Sequence, residues 1–324
     1  MCGIQLKYGE EFLSQTCVTY PRRTNSFGTF FERSLTLTCP VAAEMILFAQ
    51  EPMKFEFVEV SDKIHSKHGK IKIERHFLVN EKTAEQMLAV QVAIISILQE
   101  RRFIIDQRLI VLGLFLDNLE EMISSDADNE TILNLVAAYK SEEFLLREMP
   151  SLFQNFAFDT KKFTIFIMKF ISNTSQHLKS KEGWKFLCSF TEILGIKPDE
   201  NNEIPLLDVA ANYERLAEAR KNFSENYLTF LENYLVNELF INCYTWRFSE
   251  ESITKNFAIF LISYKIFELM LFTATQKGFS TKEDLLAFVD WFTTATDHNK
   301  ALYKKFLELL AGVDNTYLLM RALL

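Results

Sequence analysis

Along most of the chain, apolar residues recur at intervals of three and four, the spacing of one buried face of an α-helix. Leu109, Leu112, Phe115, Leu116 and Leu119 follow at steps of 3, 3, 1 and 3. Phe223, Tyr227, Phe230, Tyr234 and Ile241 follow at steps of 4, 3, 4 and 7, with Glu225 and Glu232 on the other side. This second stripe predicts one long helix that starts near Leu206, just after Pro205, and continues to about Ile241. Asp199 to Asn202, between Pro198 and Pro205, read as a loop. Ser280, with Glu283 three positions on, predicts a capped helix start. The pattern changes to period two in Phe55–Val60 and again in Lys70–Glu74, which predicts a small β-hairpin within 55–75.

Composition supports the helical reading. Only 9 Gly and 6 Pro occur in 324 residues, too few for the many tight turns of a sheet-rich fold. Three of the five cysteines and three of the nine glycines (Gly3, Gly9, Gly28) fall in the first 39 residues. The expected organisation is an irregular cysteine-bearing module at 1–50, a connector at 51–80 and a multi-helix body at 81–324. The fold class is mainly α. The most apolar stretch, Phe257 to Thr275, is interrupted by Lys265 and Glu268, and Ile104 to Leu116 holds Asp106 and Arg108. Both read as buried helices rather than membrane spans. Met1–Gln5 has no basic region followed by an apolar core, so the expected compartment is the cytoplasm. A net charge of −8 and a pI near 5.4 argue against a general nucleic-acid binder, which needs a basic face to neutralise phosphates.

Candidate chemistry concentrates near the N-terminus. Cys2, Cys17 and Cys39 are thiols that could ligate zinc or an iron–sulfur cluster. No pair has the short gap of a metal knuckle, and by spacing alone these residues read rather as small apolar core groups. An odd, sparse set of five cysteines does not make a disulfide framework. His65, His68 and His76 form a second group in lysine-rich surroundings and read as surface histidines. No phosphate loop, dinucleotide fingerprint, nucleophile elbow or zincin helix is present.

One pattern is more specific. Thr16-Cys17-Val18-Thr19-Tyr20-Pro21-Arg22 is followed by Glu32-Arg33-Ser34-Leu35-Thr36-Leu37-Thr38-Cys39-Pro40-Val41-Ala42-Ala43. Cys2-Gly3-Ile4-Gln5 and Gly9-Glu10-Glu11-Phe12-Leu13 precede them. These elements resemble the "CGIQ…GEEYL", "TCxTYPR" and "ERSLTLxCPxAA" motifs of the bacterial flagellin lysine-N-methylase family. Leu109–Leu116 and Glu232–Phe240 are similar to that family's helical body. The resemblance implies a cytoplasmic enzyme that methylates lysine ε-amino groups of flagellin, with S-adenosylmethionine as donor. It also implies an iron–sulfur cluster or related metal site at the cysteines, here Cys2, Cys17 and Cys39. Family members carry a further cysteine cluster before the "CGIQ" element. The expectation is therefore a chain short at its N-terminus, inactive alone or dependent on a second polypeptide for the remaining thiolates. Members are also described as flagellar biosynthetic proteins, so a non-catalytic role in flagellin secretion and motility stands as the alternative.

Within the matched motif, Tyr20, Arg22 and Arg23 are the candidate site residues. An aromatic ring favours a methylated ammonium, and Pro21 fixes the turn that presents them. The competing reading is that Tyr20 simply packs within that turn. Glu32 and Arg33 are expected to make internal pairs. Tyr234 is expected in the core, and Asn237 is a polar group beside the same stripe.

Overall fold

The structure, a computed structural model, describes residues 3–9, 12–14, 17, 19–27, 30–58, 75–76, 81–141, 143–144, 160–177, 180–197, 206–242, 252–297 and 299–311. Among them are thirteen α-helices and one small sheet, so the mainly α expectation holds. The N-terminal region contributes α1 (Gly3–Tyr8), β1 (Arg22–Ser26), β2 (Phe31–Leu35) and α2 (Pro40–Leu47). After β3 (Arg75–His76) come α3 (Glu81–Leu98), α4 (Ile105–Ser124), α5 (Asn129–Tyr139), α6 (Thr160–His177) and α7 (Lys181–Ile193). The chain continues through α8 (Leu206–Arg215), α9 (Ala217–Asn226), α10 (Leu228–Asn242), α11 (Ile253–Gln276), α12 (Lys282–Asp297) and α13 (Lys300–Leu310).

An antiparallel hairpin lies at Arg22–Leu35. β1 pairs with β2 in the register Arg22↔Leu35 to Ser26↔Phe31, and β3 adds in parallel, Asn25↔Arg75 and Ser26↔His76. Within 55–75, Phe55 to Val58 form no strand, and residues 59–74 lie outside the described set. Phe57 and Val58 are largely exposed, and Phe55 packs on Phe240 of α10 at 4.7 Å.

The 206–241 stretch is three helices, not one. Leu216 (φ −88°, ψ 0°) and Tyr227 (φ −104°, ψ 15°) leave helical geometry. The middle segment, α9, buries only Phe223 fully. Breaking at both ends lets this polar piece turn toward solvent while α8 and α10 stay packed. The start of α12 is also shifted by one residue. Thr281 caps it, with its hydroxyl accepting from Asp284 N–H (3.2 Å) and Asp284 Oδ2 accepting from Thr281 N–H (3.1 Å).

The centre of the fold is α11. Nearly every side chain from Phe257 to Ala274 is buried, as expected for a helix apolar all round. It packs on α4, α6, α7, α9, α12 and α13. It is long and apolar enough to cross a membrane, yet 89% of that stretch is buried inside the fold. Its start is held by α4: Glu120 accepts from Ile253 N–H (3.0 Å), Thr254 N–H (3.1 Å), Ser252 Oγ (2.9 Å) and Thr254 Oγ1 (2.6 Å). A carboxylate at a helix N-terminus meets both orphan N–H groups and the positive end of the dipole.

The phenylalanine-rich composition is explained by the packing around α11. Phe267 stacks on Tyr234 of α10 at 3.7 Å and meets Phe288 (5.3 Å) and Phe292 (5.1 Å) of α12. Phe292 continues to Phe170 of α6, and Phe288 to Phe186 of α7. Tyr234 is thus a core residue, as its stripe predicts. The N-terminal segment shares this core through Leu37, Ala43 and Leu47. α2 packs on α10 and α12, and β2 on α10.

Candidate active site

The N-terminal motif lies against α10. Arg23, half-buried on β1, donates from Nη1 to Asn242 Oδ1 at 3.3 Å. Asn25 donates from Nδ2 to the Ile241 carbonyl at 3.4 Å. Asn242 in turn donates to Glu238 Oε2 at 2.9 Å. Two segments far apart in sequence, both singled out by resemblance, therefore meet in one polar seam. Tyr20 is 46% exposed. Partial burial, beside Thr38 and Cys39, raises its pKa. Arg33 donates from Nε to Thr24 Oγ1 across the hairpin at 3.2 Å. Arg22 and Cys17 are exposed. Of the three candidate site residues, Tyr20 is brought to Cys39 and Arg23 to α10.

Cys39 is half-buried and stands at the N-cap of α2, where its carbonyl accepts from Ala43 N–H at 2.8 Å. Cys17, Cys39 and Cys188 are free thiols. Cys2, His65 and His68 lie outside the described residues. Among the described residues, no three His, Cys, Asp or Glu side chains converge to hold a metal, so no step is derived through a cluster.

Helix α10 is buried on every side, its polar groups included. Glu232, on the side opposite the apolar stripe, is 1% exposed. It accepts from Arg108 Nη1 (2.6 Å) and from Arg101 Nε and Nη2 (3.0 and 2.8 Å). Arg108, itself fully buried, also donates to the Leu98 carbonyl (2.8 Å) and the Phe103 carbonyl (2.7 Å). Asn233 donates to the Ala49 carbonyl at 2.8 Å. This network closes the α3–α4 turn onto α10.

Beside it opens a cleft of about 590 Å³ between the start of α4, α8, α9 and α11. Its floor carries Asp106 of α4 with Lys265 and Glu268 of α11. Lys265 Nζ lies 2.8 Å from Glu268 Oε2 and 3.2 Å from Asp106 Oδ1. Ser224 Oγ donates to Glu268 Oε1 at 2.6 Å. On one wall the Arg220 guanidinium stacks on the Tyr213 ring at 3.7 Å and donates to its hydroxyl. Burial would push the Lys265 ammonium down, but the facing Asp106 and Glu268 carboxylates hold it above its ordinary value. Burial would likewise raise Glu268, but Lys265 and Ser224 outweigh it and hold its carboxyl low. For Asp106 burial prevails over Lys265, and its carboxyl is raised. A cleft with pKa values pushed apart by burial and charge is where acid–base chemistry is expected.

Asp106, Lys265 and Glu268 are the charges that interrupt the two most apolar stretches of the sequence. Charge within an apolar helix must find a partner when buried, and that was the available signal. Nothing in the sequence links the two helices or adds Arg220, Tyr213 and Ser224 from a third and fourth.

Comparison with curated proteins and with solved structures gives no match. The family model described as FliB lysine N-methylase C-terminal domain matches residues 91–322. That span contains every residue lining the cleft, from Ile104 to Glu268, as well as the Arg101–Arg108–Glu232 network. Because the match covers well over half of the chain, this protein belongs to the FliB lysine N-methylase family.

Proposed function

We propose that the protein methylates lysine ε-amino groups of flagellin, with S-adenosylmethionine as donor, in the cytoplasm before flagellin is exported. The observation that carries this reading is that the charged cleft lies wholly within the span matched by the lysine N-methylase domain. Methylation of lysine needs three things: a slot for the side chain, a group that takes a proton from the ammonium, and a bound electrophilic methyl group. The cleft offers an apolar wall at Ile104, Ile105, Ala217 and Leu228 and carboxylates at its floor.

S-adenosylmethionine supplies an electrophilic methyl on a sulfonium. The chemistry of the lining fits such a donor. Arg220, whose buried Nε has no hydrogen-bond partner among the described residues, suits an amino-acid carboxylate. Glu214 and Glu225 suit hydroxyl and ammonium groups. The N-terminal motif, with Tyr20, Arg22 and Arg23, contributes through its contact with α10. Cys2, Cys17 and Cys39 remain the thiols through which a second polypeptide would complete a metal site.

The test is expression of the full chain, with and without its neighbouring genes, in a motile host lacking its own methylase. Flagellin is then digested and its lysines are examined by mass spectrometry. Methyl-lysine that depends on this gene supports the reading. Unmodified flagellin in both settings, with motility still dependent on the gene, would replace it with the non-catalytic assembly role.

A further inference from the structure

We infer that Asp106 is the seat for the substrate lysine, its free carboxylate oxygen receiving the ε-ammonium at the floor of the cleft and taking its proton. The inference deepens the methylase reading and rests on it for the identity of the ligand. The argument begins with how the two floor carboxylates are occupied. Glu268 is 9% exposed and uses both oxygens, one for Ser224 and one for Lys265. Asp106 is different. Lys265 reaches only its Oδ1, at 3.2 Å, and Oδ2 takes no hydrogen bond among the described residues. The Asp106 side chain is 35% exposed and lines the cleft. Lys265 is shared between the two carboxylates and Arg220 on the wall acts on both, but the floor keeps one oxygen, Asp106 Oδ2, that no hydrogen bond engages among the described residues.

A second cation completes such a floor, and the walls select which one. Ile104 and Ala217 flank the approach with apolar surface. That suits the methylene stem of a lysine side chain, which packs apolar while its head finds a charge. A hydrated inorganic cation gains nothing from those walls.

The proton step is simple. One proton passes from the R–NH₃⁺ group to Asp106 Oδ2, giving a neutral amine with a lone pair and a neutral carboxylic acid. Burial has already raised the Asp106 carboxyl, so accepting that proton costs less than for an ordinary aspartate. Lys265 acts as a positioning residue: it stays charged against Glu268 and fixes the Asp106 rotamer without entering the transfer.

The test uses the full chain and n-pentylammonium as the lysine side-chain probe, with n-pentanol as its neutral counterpart, by calorimetry. Wild type should bind pentylammonium in preference to pentanol. Asp106→Asn should weaken pentylammonium about tenfold or more, the worth of a charge-assisted hydrogen bond, and leave pentanol unchanged. Asp106→Glu should restore part of the loss. Ala217→Trp, at an exposed position on the rim, should block both probes without disturbing the core. Equal binding by wild type and Asp106→Asn overturns the inference, as does a wild type that prefers pentanol or binds neither. Flagellin methylation measured on the same variants separates the two claims. Methylation by wild type that survives in Asp106→Asn removes Asp106 and leaves the methylase reading standing. Asp106-dependent pentylammonium binding without any methylation keeps the cation seat and removes the methylase reading.

Discussion

Glu232→Leu should destabilise the fold by about 3–5 kcal/mol, the range for breaking a buried ion pair by removal of one partner. The magnitude follows from what each arginine can do afterwards. Arg101 is 34% exposed and can turn its guanidinium to water at little cost. Arg108 is not exposed at all. It keeps the Leu98 and Phe103 carbonyls but loses the 2.6 Å bond that neutralises it. Arg108→Met is different, because Glu232 then retains the two-pronged grip of Arg101. Its cost, about 2–4 kcal/mol, is that of the lost hydrogen bonds. With both removed, no uncompensated charge is left. The double variant should be less destabilised than the sum of the singles by about 2 kcal/mol or more. The assay is urea denaturation of the full chain followed by far-ultraviolet circular dichroism, analysed as a double-mutant cycle. Additivity within about 0.5 kcal/mol, or a Glu232→Leu cost below about 1 kcal/mol, would refute the reasoning. The result bears on function too: Arg108 sits half a turn past Asp106, so the same network fixes the start of α4 and one side of the cleft floor.

Further outcomes can be checked by the same unfolding measurements. Glu120→Ala removes four hydrogen bonds from the start of α11 and should cost roughly 2 kcal/mol; a change within about 0.3 kcal/mol would mean water replaces the carboxylate. Gly183→Ala should cost roughly 1–3 kcal/mol, because a Cβ there would stand 2.2 Å from Trp291 Nε1 and 2.6 Å from its Cδ1. Loss of Trp291 fluorescence intensity or a shift in its maximum should accompany it, and unchanged stability would show that the indole moves freely. Glu268, held low in the folded state, contributes stability above its unfolded value near about pH 4.3. That contribution is lost as pH falls through the lower folded value. Glu268→Gln should therefore flatten the acid limb of a stability–pH profile, and an unaltered limb counts against the pairing with Lys265. Asp106 has the opposite sign, since its raised carboxyl is disfavoured when ionised. Asp106→Asn should not lower stability at neutral pH even where it abolishes ammonium binding; marked destabilisation would recast Asp106 as structural.

The helical body was legible because its signal is periodic and repeated. The Leu109–Leu119 face is buried as its spacing requires, and Tyr234 is in the core. Breaks in helices were less legible. Leu216 and Tyr227 are good apolar positions with no glycine or proline nearby, so local propensity gave no warning. What breaks the chain there is the polarity of α9, a property of a whole segment rather than of one residue. The hairpin that lies within the described residues, β1 with β2, carries no such periodic signal. β1, with the sequence Arg-Arg-Thr-Asn-Ser, has no alternation at all. It is a strand because its polar residues meet the polar end of α10. Resemblance found both halves of that seam without saying that they touch. For the cleft, three floor residues were visible only as interruptions in apolar runs. Their convergence depends on how α4 and α11 cross.

The Arg108–Glu232 and Asp106–Lys265–Glu268 groups both place charge inside apolar helices, and access to solvent separates them: Glu232 and Arg108 are sealed while the Asp106 side chain is 35% exposed. A charge inside an apolar helix loses its water on folding, and an ion pair seldom returns more than replacing it with apolar side chains would. In the first group every Glu232 oxygen is matched, by Arg101 and Arg108, and Arg108 closes onto two backbone carbonyls. Among the described residues Arg108 Nη2 is left without a partner, but it is sealed from solvent, so the use of that arrangement is to join α3, α4 and α10 in one geometry. The second group is built around one ammonium and two carboxylates, and one of these keeps an oxygen turned to a cleft. An apolar replacement would remove the cost of burial, so stability alone does not account for Asp106, Lys265 and Glu268. On the proposed reading a cationic ligand does, by engaging the free Asp106 oxygen when bound. The sealed network is thus the frame and the unsealed one is the site. The lysine side chain implied by the family match has both the charge to complete the floor and the apolar stem to fill the walls above it.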